Sequence, residues 1–164
     1  MTYLLDSDVF IQAKNLHYGF DFCPAFWEWI DERYADGTVR SIEKVGDELI
    51  GGDDDLANWA RQRRADFFVR PDALVLPSLR ATSAWASAAG YEPAGVNIFL
   101  QAADYYLVAH AHAHDQTVVT HERPSTSTKK IKIPDACIGL GVKCATPFQM
   151  LRAEHARFVL GPAA

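Results

Sequence analysis

The sequence predicts an α/β fold with a central, mainly parallel β-sheet. Short apolar segments, such as residues 3–5 and 117–120, have the length and composition of buried strands. Longer segments between them carry apolar residues at helical spacing, and turn residues separate the two kinds of segment. Strands that alternate with helices are joined by crossovers, and crossovers make neighbouring strands parallel.

The first half of the chain contains two predicted strands and five predicted helices. Phe26, Trp27 and Ile30 fall on one face of a helix over residues 23–34. Acidic residues 53–55 favour the start of a later helix, because the positive end of the helix dipole attracts them. The predicted elements are a strand over 3–5, a helix from residue 9, the helix over 23–34, a strand over 38–40, a helix capped by Ser41 that reaches Ile50, and helices over 53–68 and 77–89.

The second half follows the same alternation. Residues 98–113 are predicted to form one long helix that leads into the β-branched strand over 117–120. After a polar loop we expect strands over 130–133 and 142–144, and a final helix from Pro147.

Length and composition describe an ordinary globular chain. At 164 residues with 49% apolar side chains and no linker, the chain is predicted to form one domain over residues 1–160. No apolar run reaches about 18 residues, so we expect no membrane-spanning helix, and the first residues do not resemble a signal peptide. Three cysteines without a C-x-x-C pair favour free thiols and a cytoplasmic location.

The net charge of −5 excludes a protein that holds nucleic acid by overall attraction. Any such contact must be local, with a metal ion that neutralises the acids near a phosphate. An arginine group over residues 61–70 fits a solvated surface better than a binding site. A second basic group consists of Lys129, Lys130 and Lys132.

The most informative segment is Asp6-Ser7-Asp8, which directly follows the first strand. Ligands of parallel α/β proteins bind at the carboxyl edge of the sheet, and carboxylates suit a hard divalent cation there. Asp8 or Ser7 has a second interpretation as the cap of the following helix, and for Asp8 the two roles stay open. Asp6 is expected to precede the cap, so capping does not explain it.

Three further acids are candidates for the same site, although Glu48 taken alone is an ordinary residue at the edge of a helix face and Glu122 taken alone is a loop acid. Asp104 interrupts the apolar stripe of the helix over 98–113, and Glu48 lies at the edge of the apolar face of its helix. Glu122 follows the strand over 117–120 by two residues. Acids from four separate elements that meet would raise each other's pKa. One or two bound Mg²⁺ or Mn²⁺ ions would relieve that repulsion and could activate water for phosphodiester hydrolysis.

These segments together resemble the PIN domain, and most of all the PIN-like group known as DUF4411. The resemblance covers nearly the whole chain. Its carriers are residues 3–11 (YLLDSDVFI), 45–49 (VGDEL), 103–109 (ADYYLVA), 117–122 (TVVTHE) and 132–137 (KIPDAC).

The resemblance implies a three-layer α/β/α sandwich and a metal-dependent ribonuclease, the toxin of a toxin–antitoxin pair. It also implies a homodimer and an inhibiting antitoxin as partners. The implied catalytic and metal-binding residues are Asp6, Glu48, Asp104 and Glu122, with Asp8 in a position that is often Asn and Glu122 in one that is often Asp. Ser7, Thr120 and Asp135 are expected to support the site, although Asp135 also fits a helix N-cap. Lys129, Lys130 and Lys132 are the expected RNA contacts.

Two other functions fit parts of the sequence. An apolar strand followed by Asp-x-Asp also resembles haloacid-dehalogenase-type phosphatases, with Asp6 as the nucleophile. Such an enzyme needs a closely spaced acidic pair after a later strand, and the only acids after Thr120 are Glu122, Asp135 and Glu154. The other alternative is a PIN-like module that binds RNA or protein without catalysis.

Two further patterns have a simpler explanation than a ligand site. His110 and His114 have the spacing to share a metal ion, but histidines at a helix end are expected to be solvated and to complement the helix dipole. Aromatic residues between 20 and 29 could stack on bases, but their spacing favours core or dimer packing.

Overall fold

A five-stranded parallel sheet forms the centre of the computed structural model, which describes residues 1–162. The strands are β1 (Tyr3–Leu5), β2 (Val39–Ile42), β3 (Phe68–Val69), β4 (Thr117–Val119) and β5 (Cys144–Ala145). Their order across the sheet is β3-β2-β1-β4-β5, and each neighbouring pair is parallel. β1 is therefore the central strand, and the chain builds the sheet outward from it in both directions.

Helices flank this sheet and complete an α/β/α sandwich, as the sequence predicts. They are α1 (Ser7–Gln12), α2 (Pro24–Ala35), α3 (Glu43–Ile50), α4 (Asp55–Gln62), α5 (Val75–Ala88), α6 (Pro93–Gln101), α7 (Ala103–His114), α8 (Ile133–Leu140) and α9 (Pro147–Ala153). α1 continues without a break into a π-helical turn over Ala13–His17. None of the helices in residues 1–162 is long and apolar enough to cross a lipid bilayer.

The core is built on the central strand. Leu4 and Leu5 are completely buried, as a strand covered on both faces of a parallel sheet requires. Beside them Phe10 of α1 contacts the rings of Trp59, Phe67 and Phe68. Because β1 is anchored by this packing, the residue that follows it is held in a fixed position.

The predicted helix over 53–68 is wrong in its second half. α4 ends at Gln62, and Phe68 pairs with Ser41 as part of β3. Phe67 and Phe68 are buried in the aromatic core, and this burial outweighs the helical propensity of the segment. Ser41 is likewise not a helix cap, because it belongs to β2 and its hydroxyl donates to the carbonyl oxygen of Leu5.

The predicted single helix over 98–113 is also wrong. It divides at Ala102, whose extended ψ of 158° separates α6 from α7. Asp104 therefore lies in the first turn of a helix, where the dipole favours an acid. Leu100 precedes the break and is not its neighbour on a helix face.

Residues 130–133 do not form the predicted strand. Ile133 opens α8, and Pro134 stands in its first turn, a position that suits proline because no backbone donor is needed there. The last predicted strand is shifted to Cys144–Ala145. The three cysteines are free thiols, as predicted.

Candidate active site

The candidate site lies at the carboxyl ends of the adjacent strands β1 and β4. Asp6 directly follows β1, and its backbone N–H donates to Val119 O at 2.9 Å. Thr120 directly follows β4. Beyond β1 the sheet continues with β2 and β3, and beyond β4 with β5, so the strand order reverses between these two strands. Such a reversal opens a crevice at the sheet edge where α/β proteins bind ligands.

Asp6 is buried at this edge, with 5% of its surface exposed. It is the N-cap of α1, and its Oδ1 accepts from Ser7 N at 2.7 Å. Its Oδ2 accepts from the Thr120 hydroxyl at 2.9 Å. The expectation that Asp6 precedes the cap is therefore wrong, because α1 begins at Ser7, two residues before the predicted start at residue 9. These two bonds fix the carboxylate at the carboxyl end of β1.

Of the two roles left open for Asp8, the role as a helix cap is wrong, because Asp6 is the N-cap of α1. Its carboxylate accepts from His121 N at 3.1 and 3.2 Å and lies 3.1 Å from the Thr120 hydroxyl. Thr120 thus faces two carboxylates with a single hydroxyl proton, which it can donate to only one of them at a time. When Thr120 donates to Asp8, Asp6 Oδ2 is left without this donor, and a proton or a cation would satisfy it.

Burial and mutual repulsion raise the pKa values of these acids. The pKa of Asp6 lies well above its ordinary value because of burial first, and then because of the charges of Asp8 and Asp104. Burial also raises the pKa of Asp8, against the effect of its bonds from His121 and Thr120. A site of this kind favours protons or a cation over free carboxylates.

Asp104 joins the group from α7. Burial, followed by the charges of Glu122 and Glu48, raises the pKa of Asp104 to about 6, and Lys130 partly opposes that shift. Glu48 on α3 is itself exposed. Asp104 therefore connects the four acids predicted from the sequence, because the charges of Glu122 and Glu48 raise its pKa and its own charge raises the pKa of Asp6. Asp8 is a fifth acid of the group and lies beside Asp6.

Glu122 has a structural bond in addition to its place beside Asp104. Its Oε2 accepts from Ile133 N, the first residue of α8, at 2.8 Å, and its Oε1 lies 3.5 Å from Lys132 Nζ. It thus satisfies one of the free N–H groups at the start of that helix.

We expect Glu122→Ala to lower the free energy of unfolding by about 1–3 kcal/mol, because it leaves the buried Ile133 N–H without an acceptor. Glu122→Gln keeps an acceptor oxygen and should lose much less. Urea unfolding without added metal measures both. Equal losses for the two variants would contradict a role as a hydrogen-bond acceptor.

The predicted supporting residues contribute in unequal ways. Thr120 bonds to Asp6 as described, whereas Ser7 supports Asp6 through its backbone N–H, since its hydroxyl is 3.5 Å away. Asp135 is not an N-cap, because Lys132 occupies that position of α8. Its Oδ2 accepts from Ser125 N at 3.0 Å and so anchors the loop between β4 and α8.

The three lysines lie on that same loop. Lys130 is close enough to affect Asp104, Lys132 pairs with Glu122, and Lys129 is exposed. A cavity of about 270 Å³ runs beside Asp104, lined by Lys129, Lys130 and apolar residues of α6. The lysines thus supply local positive charge beside the acids, although the net charge of the chain is negative.

The donors fit Mg²⁺ or Mn²⁺, because every side chain of the group offers carboxylate or hydroxyl oxygen. Within residues 1–162 no three acidic, histidine or cysteine side chains are placed to hold an ion by themselves. An ion bound here would keep several water ligands, as Mg²⁺ usually does in proteins. Asp6, Asp8 and Asp104 would hold it partly through those waters, and the ligand roles of Glu48 and Glu122 stay predictions.

His110 and His114 are adjacent, with ring centroids 4.7 Å apart, but each ring has another partner. His110 bonds to Gln116 at 3.0 Å, and His114 Nε2 lies 3.1 Å from an Asp72 carboxylate oxygen. His110 is buried rather than solvated, contrary to expectation. The sequence interpretation missed His121 instead, although its position between Thr120 and Glu122 at a strand end was a usable signal.

Solved structures share the whole fold at low sequence identity. VapBC2 from Rickettsia felis, bound to a DNA fragment from their promoter, has a TM-score of 0.55 and 14% identity, over 89% of this chain and 98% of that one. FitAcB from Neisseria gonorrhoeae has a TM-score of 0.55 and 20% identity, over 90% and 99%. FitAB bound to the IR36 DNA fragment has a TM-score of 0.54 and 19% identity, over 90% and 96%. This likeness shows the fold.

No curated protein sequence matches the chain. The family model described as "Domain of unknown function (DUF4411)" matches residues 3–158, nearly the whole length. The resemblance to DUF4411 noted from the sequence motifs is therefore confirmed, and the chain belongs to the DUF4411 family.

Proposed function

We propose that this protein is a Mg²⁺- or Mn²⁺-dependent endoribonuclease that hydrolyses RNA phosphodiester bonds. The observation that carries the proposal is the pair of buried Asp6 and partly buried Asp8, whose carboxylates compete for one hydroxyl proton at the carboxyl edge of the sheet. Ionised carboxylates in this position need a cation, and a cation held by oxygen ligands attracts phosphate. The site so constructed suits a phosphodiester better than a neutral substrate.

Each residue has a distinct task in this proposal. Asp6 is oriented by Ser7 N and Thr120, and Asp8 by His121 N, so both carboxylates are fixed before a ligand arrives. When bound, one or two metal ions supply charge neutralisation at the phosphate and activation of water.

Positive side chains beside the acids would hold the substrate. Lys130 and Lys132 lie next to Asp104 and Glu122 and can contact backbone phosphates that flank the cut. Such contacts position an RNA strand without reading its sequence.

Cleavage of a mixed RNA pool tests the proposal. We expect cutting with Mg²⁺ or Mn²⁺ and none with EDTA, because phosphate cannot approach the acids without a cation. DNA of the same sequences and a small phosphoester serve as parallel substrates. Metal-independent cutting, or hydrolysis of the phosphoester alone, would contradict the ribonuclease, and the second result would favour the phosphatase alternative.

We further propose that the nuclease is the toxin of a toxin–antitoxin pair, acts in the cytoplasm as a homodimer and is held inactive by a cognate antitoxin. The PIN-like fold and the DUF4411 membership support this role. The similar structures include VapBC2 with promoter DNA, so an antitoxin bound to both promoter and toxin is the arrangement to look for.

A further inference from the structure

Three aromatic rings form a cluster beside the candidate site, and the proposed chemistry does not use them. His17 and His121 are stacked, with centroids 5.5 Å apart and planes 28° apart. Phe148 meets both edge-on, at 5.3 Å from His17 and 5.7 Å from His121. We call these three residues the aromatic platform.

Separate parts of the chain bring the platform together at the sheet edge. His17 ends the π-helical turn that follows α1, and such turns occur often at functional sites. His121 follows the end of β4, and its N–H binds the Asp8 carboxylate. Phe148 lies in the first turn of α9, which a reciprocal capping box at Thr146 and Gln149 fixes in place. The platform is thus rigidly connected to the acids.

The platform is partly open to solvent. Phe148 is 36% exposed, and both histidines are partly exposed. Phe148 also lines a neighbouring cavity of about 200 Å³, together with Tyr18, Phe158 and the exposed Arg152. Aromatic side chains and an arginine therefore adjoin the platform at Phe148, in a cavity that shares no lining residue with the one beside Lys129 and Lys130.

We propose that the aromatic platform of His17, His121 and Phe148 stacks on an unpaired base of the RNA strand beside the phosphodiester that is cut. The inference rests on the proposed function, for which the family resemblance already implies single-stranded or structured RNA, and it adds the surface that would hold a base. Partly exposed planar aromatic rings, next to a site for phosphate, match the chemistry by which proteins hold single strands. A duplex would keep its bases stacked and out of reach of the platform.

Binding without cleavage separates the platform from catalysis. The probes are a fluorescein-labelled oligouridylate of about 12 nucleotides and a ribose–phosphate strand of equal length without bases. Their dissociation constants are compared by anisotropy in the Asp6→Asn background. We expect the strand with bases to bind about tenfold more tightly, and Phe148→Ala or His17→Ala to remove most of that preference.

Matched variants distinguish stacking from a structural effect. Phe148→Tyr should keep the preference, and so should Phe22→Ala, which removes an exposed phenylalanine outside the platform. Thermal unfolding checks that each variant is folded.

The result that would overturn the platform is an equal base preference in Phe148→Ala and in the parent protein, or no preference in the parent. In either case metal-dependent RNA cleavage by the wild type would leave the proposed function standing. Failure of that cleavage, together with no binding of either strand, would instead reject the proposed function itself.

Discussion

Asp6→Asn is expected to lower RNA cleavage by more than about 100-fold, since changes to mere outer-sphere partners of a metal already cost 10- to 100-fold. Asp6 is the best-oriented acid of the site, held by Ser7 N and the Thr120 hydroxyl. Asn has nearly the same shape but no negative charge to hold a cation. The measurement is the initial rate of RNA cleavage at saturating Mg²⁺.

The variant should remain folded, because its amide oxygen can still accept from Ser7 N and cap α1, and its amide N–H can donate to the Thr120 hydroxyl, which then donates to Asp8. Asp115→Asn is the matched control. Asp115 is an exposed residue with positive φ at the end of α7, and Asn tolerates that conformation well. In cells, expression of the wild type should stop growth, and Asp6→Asn should restore it. Full activity of the folded variant would reject the mechanism.

The acids of the site could be predicted because their signal is local. Asp6 and Glu122 follow recognisable strands, and strand ends of a parallel sheet meet at one edge. Asp104 was also found, but for a partly wrong reason. The apolar stripe that singled it out crosses the break at Ala102, and burial by other elements, rather than a helix neighbour such as Leu100, makes its charge unfavourable.

The remaining features depend on contacts between distant residues. β3 is two residues long, and only pairing with Ser41 and Ile42 distinguishes Phe68 and Val69 from the end of a helix. Thr120 as the shared donor of Asp6 and Asp8 requires the register of β1 with β4. The aromatic platform joins residues more than 100 positions apart, and no sequence period reveals it.

The pH dependence of stability should show that the ionised carboxylates destabilise the metal-free protein. A carboxyl whose pKa is raised in the folded protein binds its proton more tightly there than in the unfolded chain. Stability therefore falls as pH rises from the unfolded to the folded pKa, and stays low above it. For Asp104 this window runs from its usual 3.8 to about 6. The shift corresponds to at most about 3 kcal/mol.

We therefore expect Asp104→Asn to raise the melting temperature of the metal-free protein by about 5–10 °C at pH 7.5, and by little at pH 4. Asp115→Asn is again the control, because Asp115 is exposed and its ion pair with Lys143 is long at 3.5 Å. The melting temperature is measured with EDTA across this range. A variant equally stable to the wild type at pH 7.5 would contradict the raised pKa of Asp104.

Mg²⁺ should offset the destabilisation that the ionised carboxylates cause in the metal-free protein, since only the ionised carboxylates bind the ion. Stabilisation of the wild type by Mg²⁺ should be small at pH 5 and grow through pH 6 to 7, as Asp104 loses its proton. In Asp104→Asn that growth should be much weaker, because one of the titrating groups is gone. Stabilisation by Mg²⁺ that is equal at pH 5 and 7.5 would place the ion elsewhere on the protein. Stability without metal and binding of metal thus place opposing demands on the same carboxylates, because the charge that binds the ion destabilises the metal-free fold.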